Sequence, residues 1–128
     1  MLKSICIVDD SSIFLFTAEK MISFLNLAEE VITFKNGEEA LTYFKNLKNN
    51  EQQFPDLTLL DINMPKMNGW EFLEALKELS IKALNIYIVS SSVDPTDIEK
   101  SNMYDVLNGY LYKPLSPEIL REVIENCN

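Results

Sequence analysis

Residues 57–69 read LTLLDINMPKMNG. Leu57 to Leu60 run straight into Asp61, then into a loop that holds Pro65 and closes on Gly69. A short apolar run stopped by an acid and a proline is the pattern of a strand buried on both faces. Such strands belong to parallel sheets with helices packed on each side. Helical spacing resumes at once: Trp70 to Leu79 puts Phe72, Leu73, Leu76 and Leu79 on one face.

The same unit recurs on both sides. Ile5 to Val8 is a β-branched run ending in Asp9-Asp10, and Ser11 or Ser12 caps a helix reaching about Leu25. Glu30 to Phe34 is a second strand. Asn36-Gly37 turns the chain into a helix from Glu38 to about Leu47, with Ala40, Leu41, Phe44 and Leu47 at helical spacing. Asn85 to Val89 is a fourth strand, followed by Ser90-Ser91-Ser92. Asp94-Pro95 then opens a short polar helix. Gly109 to Tyr112 is a fifth strand ending at Lys113-Pro114. Ser116 and Pro117 open a last helix that reaches about Glu125. Five strands alternating with five helices predict an α/β, doubly wound (βα)5 sandwich on a five-stranded parallel sheet.

Composition bounds the rest. The 128 residues are 47% hydrophobic and 24% charged, which fits a single domain over 1–128. Eleven Lys and Arg against 20 Asp and Glu leave a net charge of −9. That balance disfavours nucleic acid and anionic membrane surfaces, both of which need cationic side chains. No apolar run approaches the ~20 residues of a membrane span. Cys6 and Cys127 read as two unpaired thiols in a reducing compartment, and no leader-like stretch opens the chain. A cytoplasmic protein, monomeric or transiently dimeric, is expected. The sequence contains no histidine, which removes imidazole metal sites, His-based triads and any phosphohistidine within these residues.

Sites in open α/β sheets form outside the carboxyl ends of the strands. Here those ends carry Asp9 and Asp10, Asp61, Ser90 and Lys113. Each alone is as readily a helix cap or turn former; the winding gathers them at one edge. Clustered carboxylates repel and need a cation. All-oxygen surroundings suit Mg2+. A carboxylate there can attack phosphorus and form an acyl phosphate, with Asp61 the best placed nucleophile. Lys113 and the cation would offset charge on the transferring group, and Ser90 could bond a phosphoryl oxygen.

With these residues in place, the chain resembles the receiver domains of two-component response regulators. Asp9-Asp10 looks like the family's acidic pair, DINMPKMNG (61–69) is very similar to its phosphoacceptor loop, and Lys113-Pro114 matches its lysine and following proline, whose peptide bond is typically cis. The resemblance implies a flavodoxin-like fold with strand order 2-1-3-4-5. It implies that Asp61 accepts a phosphoryl group from a sensor histidine kinase or a histidine phosphotransfer protein. It also implies that Asp9, Asp10, Asp61 and the Asn63 carbonyl hold Mg2+, Asp9 largely through water. Ser90 and Lys113 would bind the phosphoryl group. Ser90 and Tyr110 would form the switch, with Tyr110 rotating inward on phosphorylation. Family spacing counted from Asp61 favours Ser91 for the switch hydroxyl. The strand boundary favours Ser90, with one residue inserted near Asp105 to Asn108, and Ser90 is the reading adopted.

The resemblance further implies a phosphoacceptor signalling protein rather than an enzyme, with only self-catalysed transfer and slow loss of the group. With no effector domain expected, output would be protein contact through the face of helix four, strand five and helix five, or onward phosphoryl transfer. The polar fourth helix and exposed aromatics near Tyr104 are candidate parts of that surface. A flavodoxin-like phosphate binder fits less well, because Asp9-Asp10 would repel the phosphate. An aspartate-based phosphatase needs an acid where Asn63 stands, and an amide cannot shuttle a proton. A folded receiver that is never phosphorylated is a third reading.

Overall fold

The computed structural model describes residues 1–81 and 84–127. Ten elements alternate along the chain: β1 (Leu2–Val8), α1 (Ser12–Phe24), β2 (Ala28–Phe34), α2 (Gly37–Asn49), β3 (Leu57–Leu60), α3 (Gly69–Glu78), β4 (Ile86–Ser90), α4 (Pro95–Ser101), β5 (Leu107–Tyr112) and α5 (Pro117–Glu125). All strand pairs are parallel, in the order β2-β1-β3-β4-β5. This is the flavodoxin-like winding expected from the sequence. Among the described residues no helix is long and apolar enough to cross a membrane.

The sheet sorts its side chains by the period of two. Cys6, Val8, Leu60 and Ile88 face α2 and α3, packing with Phe44, Phe72, Leu73 and Leu76. Ile5, Ile7, Leu57, Leu59 and Val89 face the other way, onto Leu15, Ile22, Leu120 and Val123 of α1 and α5. β1, β3 and β4 are therefore covered on both faces, which explains their unbroken apolar runs. Each helix opens on a polar cap: Ser11, Asn36, Asn68, Asp94 and Ser116 all accept a backbone N–H from the first turn.

Three strands begin two or more residues earlier than the sequence suggests. β1 and β2 begin earlier, at Leu2 and Ala28, which face each other in register. Exposed Lys3, Glu29 and Glu30 interrupt the apolar pattern there. β5 begins at Leu107 rather than Gly109. Ile86 pairs with Leu107 but Tyr87 pairs with Gly109, so Asn108 is an extra residue in the ladder. The Asn108 side-chain amide donates to Asn85 Oδ1 at 3.0 Å. Gly109 then passes so close to Tyr87 that a Cβ would lie 3.0 Å from the ring.

The start of α3 matters most for the site. Gly69 N–H donates to the Ile62 carbonyl at 2.9 Å, pulling the helix N-terminus onto the end of β3. A Cβ on Gly69 would sit 2.5 Å from the Asp61 carbonyl oxygen and 3.0 Å from Ile62 Cα. Both neighbours are backbone, so neither can yield cheaply. Gly69→Ala is expected to lower the unfolding free energy by about 1–3 kcal/mol, measured by urea denaturation. An unchanged midpoint would contradict this close approach.

Candidate functional site

Four strand ends build the site, and a backbone hydrogen bond ties each to its neighbour. Asp9 N–H donates to the Phe34 carbonyl, Asp61 N–H to Val8 and Lys113 N–H to Ser90, at 2.9, 2.9 and 3.0 Å. These bonds extend the sheet ladders one residue past the strands. Their side chains therefore emerge at one edge in fixed relation.

Asp9 and Asp61 are buried, at 1% and 7% exposure, while Asp10 is exposed. Asp9 Oδ1 accepts the Ser11 N–H at 2.8 Å, and Asp61 Oδ1 accepts the Ile62 N–H at 2.8 Å. The Lys113 ammonium lies 2.7 Å from Asp9 Oδ2 and 3.9 Å from Asp61 Oδ2. It also sits 4.5 Å from the centre of the Phe14 ring. The Lys113–Pro114 peptide bond is cis.

One cation thus serves two buried acids and favours Asp9. Asp61 bears the consequence. Burial first, then the Asp9 carboxylate, push its pKa from 3.8 up to about 6, against the opposing pull of Lys113 and the Ile62 N–H. Asp9 Oδ2 has the Lys113 ammonium as its one close partner among the described residues. Asp9, Asp10 and Asp61 each offer an oxygen, all within 4.8 Å of one another. An all-oxygen donor set with a buried, incompletely bonded carboxylate oxygen fits a hard divalent cation. Asn63 is exposed in the loop two residues beyond Asp61.

Ser90 closes β4 with no exposed surface, whereas Ser91 is exposed. The Ser90 Oγ accepts the Ser92 N–H at 3.1 Å. Between Ser90 and Lys113 one extra residue, Asn108, enters the β4–β5 ladder. Tyr110 is half-buried on β5. Its hydroxyl donates to the Ser92 carbonyl at 3.0 Å, and its ring packs against the α2–α3 side of the core. Tyr104 departs from expectation: rather than exposed, it is half-buried and stacks on Trp70 at 5.7 Å.

Sequence reasoning missed Phe14 beneath the lysine and the contacts of Ser92. Phe14 had only its apolar neighbours as a signal, and Ser92 looked like one of three equivalent serines. It also missed that α1 leaves Ile13, Phe16 and Phe24 at 80%, 63% and 86% exposure. Beside them a groove of about 390 Å³ is lined by Ile13, Phe14, Met21, Lys113 and Leu115 among others.

A doubly wound sheet with an aspartate at the centre of an acidic edge and a lysine facing it defines a class of protein, and comparison with known families agrees. The model of the response regulator receiver domain matches residues 5–125, and the chain belongs to that family. A two component response regulator from Cytophaga hutchinsonii is 27% identical, with a TM-score of 0.87 over 98% of this chain and 96% of that one. A CheY-like receiver domain protein from Methanospirillum hungatei is 28% identical, with a TM-score of 0.79 over 98% and 93%. The nitrate/nitrite response regulator protein NarL of Escherichia coli is 38% identical over 73 residues, 57% of this chain and 33% of that protein. The chain spans about half or less of the length of the curated relatives it matches. Membership establishes a receiver domain of two-component signalling.

The raised pKa of Asp61 has a sign that can be measured. Below pH 3.8 the group is neutral in both folded and unfolded chains. Between 3.8 and about 6 the folded chain keeps a proton that the unfolded chain has lost, so stability falls as pH rises. Above that window the full penalty remains. With divalent ions chelated, Asp61→Asn is expected to be more stable than wild type by about 1–3 kcal/mol at pH 7.5. The advantage should shrink toward zero at pH 4, as read by urea denaturation at both values. A variant less stable than wild type at pH 7.5 would contradict the assignment of strain to this carboxylate.

Proposed function

We propose that Asp61 is the phosphoacceptor of this receiver domain, supplied by a phosphohistidine on a sensor histidine kinase or a histidine phosphotransfer protein. The observation that carries this reading is convergence: Asp9, Asp10, Asp61 and Lys113 meet at one sheet edge, with Lys113 reaching both Asp9 and Asp61. An Asp61 carboxylate oxygen attacks phosphorus, the P–N bond to the donor imidazole breaks, and the imidazole nitrogen keeps the bonding electron pair while the ring takes one proton from solvent. The product is an aspartyl phosphate and a neutral donor histidine. Lys113, 3.9 Å from Asp61 Oδ2, offsets charge that moves onto the phosphoryl oxygens. Ser90, buried at the end of β4, donates its hydroxyl to one of those oxygens.

Asp9, Asp10, Asp61 and the Asn63 carbonyl would hold Mg2+, Asp9 largely through water. Bound there, the ion supplies positive charge that offsets the carboxylates and the incoming phosphoryl group. These 128 residues hold no histidine, so the phosphohistidine lies outside them. Exposed Ile13 and Phe16, next to the groove that Lys113 lines, give a protein donor an apolar seat beside the acceptor. Output runs through protein contact at the face of α4, β5 and α5, or through onward transfer, with Ser90 and Tyr110 as the switch.

The test is intact mass after incubation with Mg2+ and a small-molecule phosphodonor. One phosphoryl group should add to wild type, none to Asp61→Asn, and none to wild type in excess chelator. Lys113→Met should gain it at least about tenfold more slowly. A folded wild type that gains nothing would favour a receiver that acts by binding alone.

A further inference from the structure

We infer that Ser92 is a positioning residue that couples the Ser90 hydroxyl to helix α4, through the hydrogen bond from Ser92 to Asp97. The inference rests on the receiver reading of Ser90. It concerns a contact that the acidic edge itself does not contain.

Every polar group of Ser92 is engaged. Its N–H donates to Ser90 Oγ at 3.1 Å. Its carbonyl accepts the Tyr110 hydroxyl at 3.0 Å. Its own Oγ donates to Asp97 Oδ2 at 2.7 Å and accepts the Asp94 N–H at 3.3 Å. One half-buried residue therefore touches the hydroxyl at the site, the tyrosine on β5, and both the cap and the first turn of α4.

The arrangement has direction. Ser90 Oγ takes the Ser92 N–H into a lone pair, which leaves the Ser90 hydroxyl hydrogen free to point elsewhere. When that hydrogen turns to a phosphoryl oxygen and Oγ shifts, the Ser92 peptide must follow or lose its partner. Inside the loop, Ser92 Oγ is bound to a carboxylate, and hydrogen bonds to ionised acceptors are short and strong. Asp97 lies in the first turn of α4, a helix of only seven residues. α4 packs on the sheet against β5. A helix so short moves with its strongest polar contact. Asp94 already supplies the cap, accepting the Thr96 N–H at 2.9 Å, so capping does not require the Ser92–Asp97 bond.

The test compares wild type, Ser92→Ala, Ser92→Thr and Asp97→Ala by hydrogen exchange of residues 93–104, with and without Mg2+ and a small-molecule phosphodonor. Intact mass of the same samples gives the extent of phosphorylation. Alanine at 92 keeps the backbone donor and acceptor and removes only Oγ, while Asp97→Ala breaks the same bond from the helix side. Wild type and Ser92→Thr should change exchange in this segment by about threefold or more on phosphorylation. Ser92→Ala and Asp97→Ala should take up the phosphoryl group equally but lose that response. A merely structural bond would instead raise exchange in both states and leave the difference intact, which overturns the inference. A phosphorylated wild type with no change over 93–104 overturns it too, while leaving Asp61 as acceptor. A wild type that takes up no phosphoryl group removes the receiver reading itself.

Discussion

The Lys113 ammonium stands 2.7 Å from Asp9 and 3.9 Å from Asp61, and this unequal sharing of one cation between two buried acids organises the molecule. Burying two carboxylates a few ångströms apart is unfavourable unless positive charge joins them. One lysine is not enough for two. The shortfall falls on Asp61, whose carboxyl is pushed up to about 6 by burial and by Asp9. A residue so placed gains when further positive charge arrives, and a set of oxygens within 4.8 Å offers somewhere for that charge to sit. The same imbalance that weakens the fold makes the site receptive.

Parallel winding brings the acids together. Each strand ends at the same edge, and each end is held by a ladder bond continuing past the strand. The covering helices fix the height of the site. Gly69 lets α3 start against the Asp61 carbonyl, and Phe14 on α1 lies under the Lys113 ammonium. Loss of either contact moves the site without touching its charged atoms. The β4–α4 loop then carries the site outward, because Ser90, Ser92, Asp97 and Tyr110 share one set of hydrogen bonds.

Much of this is legible in the sequence. Apolar runs ending in Asp9-Asp10, Asp61 and Lys113 imply a parallel sheet and put those residues on one edge, since periodicity and the direction of parallel strands suffice for both. What stayed hidden depends on paths rather than patterns. An extra residue near Asp105 to Asn108 is expected from spacing, but not that it enters the β5 ladder itself, at Asn108. Tyr104 looked exposed because its stacking partner, Trp70, is distant in sequence. Ser90, Ser91 and Ser92 look alike on the page, yet one is buried, one exposed and one joins four groups. The early starts of β1 and β2 were masked by the exposed charged residues Lys3, Glu29 and Glu30.

A working receiver site requires the acidic edge around Asp61 to take up a divalent cation. Calorimetric titration of Mg2+ into the protein at pH 7.5 tests it most directly, with Asp61→Asn and Asp9→Asn alongside. The account predicts one saturable site in wild type, lost or weakened about tenfold or more in either variant as the carboxylate set loses a charge. Equal binding in all three proteins, or no binding to a folded wild type, would contradict it.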